Sequence, residues 1–293
     1  MYVVMGATGN TGSVVADTLL DKGAPVRVVV RDAKRAAALA ARGAEVVEAD
    51  VRDATALAAA LAGARGAYLL SPPAYQSEDP LGVAQAMGAT LAEAARRAAL
   101  PHAVVLSSVT AHLPTGTGII EGLHAVERAV RGAGVPVTFL RAAFFLENWA
   151  GMLEPVRTQG VLPSMALPLD RPFEMVAVAD IGRVAAELLL AGPAAAGIVE
   201  LSGPAEWSPQ DVARAFAAAV HRDVQAVPVP REQWEPILEG VGLSRPVAAL
   251  MAAMYDGINA GRVGFEGGGA VRRRGGVDIA TALARLADAR AAA

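Results

Sequence analysis

The sequence predicts an α/β protein with a doubly wound parallel sheet, and three observations carry that expectation. Short β-branched runs alternate with longer Ala-rich segments through the first half of the 293-residue chain. Those runs are apolar at successive positions, as in strands covered on both faces. A glycine-rich turn separates the first run from the first helical segment.

Strands are expected at 2–5, 26–30, 45–48, 67–70, 103–107 and 137–140, with helices at 11–22, 33–42, 54–62, 81–99 and 122–132. Right-handed crossovers then place helices on both sides of the sheet. Beyond residue 150, Pro155, Gly160, Pro163, Pro168 and Pro172 break the pattern. Asp180 reads as the N-cap of a helix reaching Ala191, and 197–201 as a strand. Ser208 caps a helix at 209–220, followed by a strand near 225–229 and a helical tail. Residues 1–150 are expected to form the main α/β domain. Residues 151–293 are expected to form a small substrate-binding and lid portion that partly completes the sheet.

Composition narrows the function. The chain is 54% hydrophobic and 19% charged, which suits a globular protein, and only 4% aromatic, so Val, Leu and Ala must build the core. A net charge of -3, with Arg272-Arg273-Arg274 as the one cationic cluster, argues against nucleic acid as a partner. The absence of cysteine excludes disulfides, thiolate catalysis and Cys-ligated metal centres, and no metal site is expected. No charged leader precedes 2–5 and no run of about 18 apolar residues occurs, so a cytoplasmic protein off the membrane is expected. A homodimer is compatible with the sequence but not specified by it.

The turn reads Gly6-Ala7-Thr8-Gly9-Asn10-Thr11-Gly12. Glycine at its first position permits a tight turn, at the second a close approach to a diphosphate, and at the third tight helix–strand packing. The helix that follows offers unpaired N–H groups and the positive end of its dipole. This is the signature of a Rossmann-type dinucleotide-binding domain, with Gly6, Thr8, Gly9, Asn10, Thr11 and Gly12 around the phosphates. Arg31, Lys34 and Arg35 follow the second strand, where cations suit a ribose 2′-phosphate. NADP(H) is therefore preferred; Asp32 keeps NAD(H) open.

The Gly-x-x-Gly-x-x-Gly spacing resembles the extended and atypical short-chain dehydrogenase/reductases. Three later stretches narrow the resemblance to the NmrA-like branch: a helix with a central Glu127 ahead of Gly134-Val135-Pro136, then Thr138-Phe139-Leu140-Arg141, then Phe145-Leu146-Glu147-Asn148. That branch includes type-2 NAD(P)H:quinone oxidoreductases, triphenylmethane reductases, isoflavone-reductase-like enzymes and NADP-sensing regulators. The resemblance covers residues 1–200, with Asp180-Ile181-Gly182 adding to it. It implies that Asp50 and Val51 bracket the adenine ring, and that Leu70, Ser71 and Pro72 pass under the cofactor. It further implies that Phe144 borders the nicotinamide, and Phe145, Asn148 and Trp149 the substrate.

The Tyr–Lys pair common in the superfamily is missing. The residues four beyond Tyr2, Tyr68, Tyr75 and Tyr255 are Gly6, Pro72, Asp79 and Asn259, and the lysines are Lys22 and Lys34. The candidate proton donors are His112, on the loop after the fifth strand, and His124, on the helix where some relatives carry lysine. Tyr255 joins them, beside Met251 and Met254 in the expected lid. Ser107 and Ser108 end the fifth strand at the ligand-binding edge, whereas His102 and His221 are expected to be structural or exposed. The expected function is hydride transfer from NADPH to a small apolar conjugated acceptor: a quinone, enone or aromatic metabolite. A non-catalytic NADP(H) sensor is the alternative. A sugar-nucleotide epimerase or dehydratase, which leans on a tyrosine base, is the least supported.

Overall fold

Val3, Val4 and Met5 leave no polar face to turn toward water, and the strand they form is buried on both sides at the heart of a sheet. The structure, a computed structural model, describes residues 1–289. Its first half runs β1 (Tyr2–Met5), α1 (Asn10–Asp21), β2 (Val26–Val30), α2 (Ala37–Ala41), β3 (Glu45–Glu48) and α3 (Ala54–Leu61). There follow β4 (Gly66–Leu69), α4 (Pro80–Arg97), β5 (Ala103–Ser108), α5 (Ile120–Arg131) and β6 (Val137–Ala142).

The second half begins with β7 (Phe144–Phe145), α6 (Leu153–Gln159), β8 (Val161–Ser164), β9 (Phe173–Val176), α7 (Val178–Ala191) and β10 (Gly197–Ser202). It continues with β11 (Glu206–Trp207), α8 (Pro209–Val220), β12 (Gln225–Pro228), α9 (Trp234–Gly240), α10 (Arg245–Asn259), β13 (Val271–Arg274) and α11 (Ile279–Ala289). Eight strands make one parallel sheet in the order β13-β10-β6-β5-β4-β1-β2-β3. The order reverses between β1 and β4, where open α/β sheets bind ligands. The expected doubly wound Rossmann fold is present, with β10 and β13 of the second half inside its sheet.

One apolar core fills the space between the sheet and α1 and α7, and a second lies under α3, α4 and α5. Helices α1 and α7 approach closely because Gly182 has no side chain: a Cβ there would lie 2.4 Å from Val14 Cβ. A third core joins α8 and α11 to the aromatic residues after β6. No described helix is long and apolar enough to cross a membrane.

Several boundaries differ from expectation for identifiable reasons. Strand β6 runs on through Arg141, which looks like a strand end in sequence but pairs with a buried carboxylate. Residues 33–36 form a 3₁₀ turn ahead of α2, because the Asp32 side chain accepts the Lys34 N–H at 2.9 Å. Asp180 is not an N-cap. Helix α7 starts at Val178, whose N–H donates to both Glu147 carboxylate oxygens at 3.0 Å. Asp180 is buried in the first turn of α7 and accepts the Val277 N–H at 2.8 Å, tying down the segment after β13. The Arg272–Arg274 cluster lies in that edge strand, which interrupts the expected helical tail. Ser208 does cap α8, in a reciprocal capping box with Asp211.

Candidate functional site

The site begins at the turn after β1. Gly6 has φ of +65°, a left-handed conformation that glycine adopts without cost. A Cβ on Gly12 would fall 2.3 Å from the Gly6 carbonyl oxygen, so the helix can start this close to the strand only with glycine there. Gly9 N–H closes the turn onto Gly6 O at 2.9 Å, and the first bond of α1 is Ser13 N–H to Gly9 O. The amides of Asn10, Thr11 and Gly12 therefore have no acceptor within the helix. No acidic side chain occupies the first turn of α1 to neutralise its positive end. The Thr11 hydroxyl accepts a hydrogen bond from Tyr68 OH at 2.9 Å, which pins the turn to β4. Burial pushes the Tyr68 phenol up, against the hydrogen bond to Thr11, so it stays protonated. Leu70 abuts Gly6, its Cδ2 lying 3.0 Å from where a Cβ would stand. Thr8 is half-buried beside the turn and Asn10 is exposed at its mouth.

On the far side of β2 an open cleft of about 770 Å³ is lined by Arg31, Arg52, the loop 73–77 and residues 241–243. Arg31 stands where the sequence places a phosphate-binding cation, but Lys34 and Arg35 are outside the cleft wall, in the exposed 3₁₀ turn. Arg52 escapes the sequence reading. Asp50 grips it, accepting its backbone N–H at 3.0 Å, Nε at 3.0 Å and Nη2 at 2.8 Å. Those hydrogen bonds, aided by the charges of Arg52 and Arg31, hold the Asp50 carboxyl down to about 2. The signal available in sequence was the Asp50-Val51-Arg52 spacing. Val51 is half-buried against the α3 core, and Ser71 and Pro72 lead into the cleft loop.

At the carboxyl ends of β5 and β6 the side chains form a buried ionic knot. Arg141 donates Nε and Nη2 to Glu127 Oε1 and Oε2 at 2.8 and 2.7 Å, and Ser107 Oγ donates to the same Oε1 at 2.6 Å. Ser107 is thus committed to Glu127 inside the protein. Its neighbour Ser108 lines an apolar cavity of about 70 Å³ with Ile120, Phe144, Phe173, Met254 and Ile258. Glu174 also borders this cavity; burial and the nearby Glu206 push its carboxyl up.

Phe144 is the aromatic hub, with ring centroids 6.1 Å from Trp149, 5.6 Å from Phe173 and 6.3 Å from Tyr255. Phe145 packs instead with the α1–α7 core, since adjacent strand residues face opposite ways. Asn148 is exposed, and Trp149 is buried with its indole N–H unpartnered. Tyr255 joins the cluster from α10, and burial pushes its phenol up to about 12, so it can hold a proton at neutral pH. His124 Nδ1 lies 2.9 Å from the Ala111 carbonyl; it must carry the proton, which leaves Nε2 as acceptor. His112 is half-buried, its Nδ1 buried without a partner. His102 bonds Thr138 within the sheet, and His221 ends α8, exposed.

A strap, residues 263–267, closes over this end. Thr110 adopts φ of +69°, rare for a β-branched residue, and its hydroxyl both donates to Gly264 O at 3.0 Å and accepts from Gly264 N at 2.8 Å. Arg141 reaches out of the knot to pair with Glu266, whose N–H donates to Glu200 at 2.6 Å. Val263 and Gly264 complete the cavity wall.

Comparison with known proteins agrees with this fold. The chain is 28% identical over 256 residues to the NAD(P)H azoreductase of Xenophilus azovorans, covering 87% of this chain and 86% of that protein. It is 25% identical to quinone oxidoreductase 2 of Escherichia coli, covering 86% of each. The solved structure of the Citrobacter sp. triphenylmethane reductase complexed with NADP(H) superposes with a TM-score of 0.79 at 23% identity, covering 98% of this chain and 100% of that one. The NmrA-like family model matches residues 2–266, well past the first 200 residues that carry the resemblance in sequence, and the chain belongs to the NmrA-like family.

Proposed function

We propose that the chain is an NADPH-dependent reductase acting on a small, largely apolar conjugated acceptor such as a quinone, an azo compound or an enone. The observation that carries this reading is the shared edge of the sheet. The uncapped N-terminus of α1 follows β1, the arginines of the cleft follow β2 and β3, and Ser108 and Phe144 of the apolar cavity stand at the ends of β5 and β6, all at the carboxyl edge of one parallel sheet. The residues fit NADP(H): the amides of residues 10–12 would hold the diphosphate, Arg31 and Arg52 the 2′-phosphate, and Ser108 and Phe144 the nicotinamide side. When bound, the dinucleotide supplies the hydride. The protein excludes water with the strap and the aromatic cluster, and orients the acceptor against apolar walls. Of the three candidate donors, Tyr255 packs against Phe144 of the cavity wall and would support the developing oxyanion, whereas the Nδ1 proton of His124 is already given to the Ala111 carbonyl and His112 does not line the cavity.

Three relatives bear the names of an azoreductase, a quinone oxidoreductase and a triphenylmethane reductase, and all such acceptors are extended conjugated systems. Mixing the protein with NADPH and a panel of quinones and azo dyes, while following nicotinamide absorbance, tests the reading. Acceptor-dependent oxidation is expected; none across the panel would overturn it. The second reading, a non-catalytic NADP(H) sensor, is favoured by one observation: the Ser107 and Tyr68 hydroxyls are both committed to the fold. Tight dinucleotide binding without turnover would select it.

A further inference from the structure

Helix α10 reaches both ends of the site. Ser244 precedes it, a residue type that ordinarily caps a helix with its own hydroxyl, yet no such cap forms. The Ser244 hydroxyl instead donates to the Ser77 carbonyl at 2.6 Å, and its N–H to the Tyr75 carbonyl at 2.9 Å. These two bonds clasp residues 241–243 against the 73–77 loop, and both segments wall the Arg31–Arg52 cleft. Ten residues farther on, about 15 Å along a helix rising 1.5 Å per residue, Met254 lines the apolar cavity, followed by Ile258.

The other end of α10 is fixed as well. Asn259 accepts the Leu167 N–H at 2.7 Å and donates to Met165 O at 2.9 Å, while Arg171 donates to the carbonyls of Ile258 and Asn259. Midway, Gly118 lies flush on the helix, where a Cβ would stand 2.1 Å from Leu250 O. The helix is therefore a rod held at both ends and along its flank. A shift at its cleft end cannot be absorbed by a loose neighbour.

We infer that Ser244 is a positioning residue through which the adenosine end of the dinucleotide sets the affinity for the acceptor. The inference rests on the dinucleotide reading above and deepens it. NADPH and NADH differ only in the 2′-phosphate, which Arg31 and Arg52 would meet in the cleft and which no acceptor in the cavity touches. Dependence of acceptor affinity on that phosphate has two routes, through the dinucleotide itself and through the protein, and Ser244→Ala cuts only the second. The clasped wall and α10 form that protein route. Coupling of this kind is reciprocal and needs a differential contact at each end, which the cleft wall and the cavity wall provide.

The test compares the KM of one quinone with NADPH and with NADH. In the native protein the KM is expected to be about 5-fold lower with NADPH. In Ser244→Ala the two values should converge, with the effect falling on KM; Ser244→Thr, which keeps the hydroxyl, should keep them apart. Equal values in the native protein, or a separation that survives Ser244→Ala, would overturn the inference. Hydrogen exchange with adenosine 2′,5′-bisphosphate alone separates this from the parent reading. Binding that protects amides along the whole of α10 supports the coupling, and protection confined to residues 241–246 overturns it. No binding of the bisphosphate would overturn the dinucleotide reading and the coupling with it.

Discussion

The glycine-rich turn after β1 and the apolar cavity beside β5 and β6 are built by different means. The turn is local: seven consecutive residues, backbone amides and glycines whose missing side chains are the design. The cavity is assembled from segments far apart in sequence, and contacts such as Thr110 with Gly264 and Arg141 with Glu266, 154 and 125 residues apart, hold its 263–267 strap in place. The first kind of site tolerates divergence elsewhere in the chain. The second kind changes its shape whenever any contributing segment changes, which is how one fold can serve many acceptors.

The comparison can be broken most forcefully at the ionic knot. Glu127→Ala leaves Arg141 buried beside an empty carboxylate position, which should cost about 3–5 kcal/mol of stability, read as a fall in the urea unfolding midpoint. A loss under about 1 kcal/mol would mean the knot relaxes around water or Glu266. Gly12→Ala probes the turn. Its Cβ would be driven into the Gly6 carbonyl, and dinucleotide affinity by calorimetry should fall roughly 100-fold, as expected for misplacing a binding backbone by about an ångström.

Smaller changes sharpen the contrast. Arg52→Ala should weaken NADPH binding roughly 10-fold, the scale of a lost charge-assisted hydrogen bond, and leave NADH binding unaltered. An equal loss for both dinucleotides would remove Arg52 from the 2′-phosphate site. The least effect is expected at Tyr255. Its folded-state pKa, about 12, lies above the ordinary phenol value of 10.0, so its contribution to stability is complete below pH 10 and declines as pH rises toward 12. Tyr255→Phe should make the thermal midpoint less sensitive to pH over that window; a residual slope belongs to Tyr68, shifted the same way.

The same contrast explains what could be read from the sequence. Strands β1 to β3 fall at the expected residues, and the turn is where Gly6, Gly9 and Gly12 place it, because apolar runs and glycine spacing are local signals. Arg52 was overlooked because its use depends on Asp50 orienting it and on a loop some 190 residues away closing the cleft. Asp180 looked like a cap because its sequence context cannot reveal that Val277 would meet it from the other end of the chain. Ser107 and Ser108 are indistinguishable in sequence, yet strand alternation turns one to Glu127 and the other to the cavity.

Strand β13 enters the sheet beside β10 only after α9, α10 and the strap have been made, since these lie between them in the chain. During synthesis, residues 6–12 and the first six strands emerge long before the strap can close. The glycine-rich turn is therefore complete while the apolar cavity still lacks Val263 and Gly264, and the sheet still lacks its last strand.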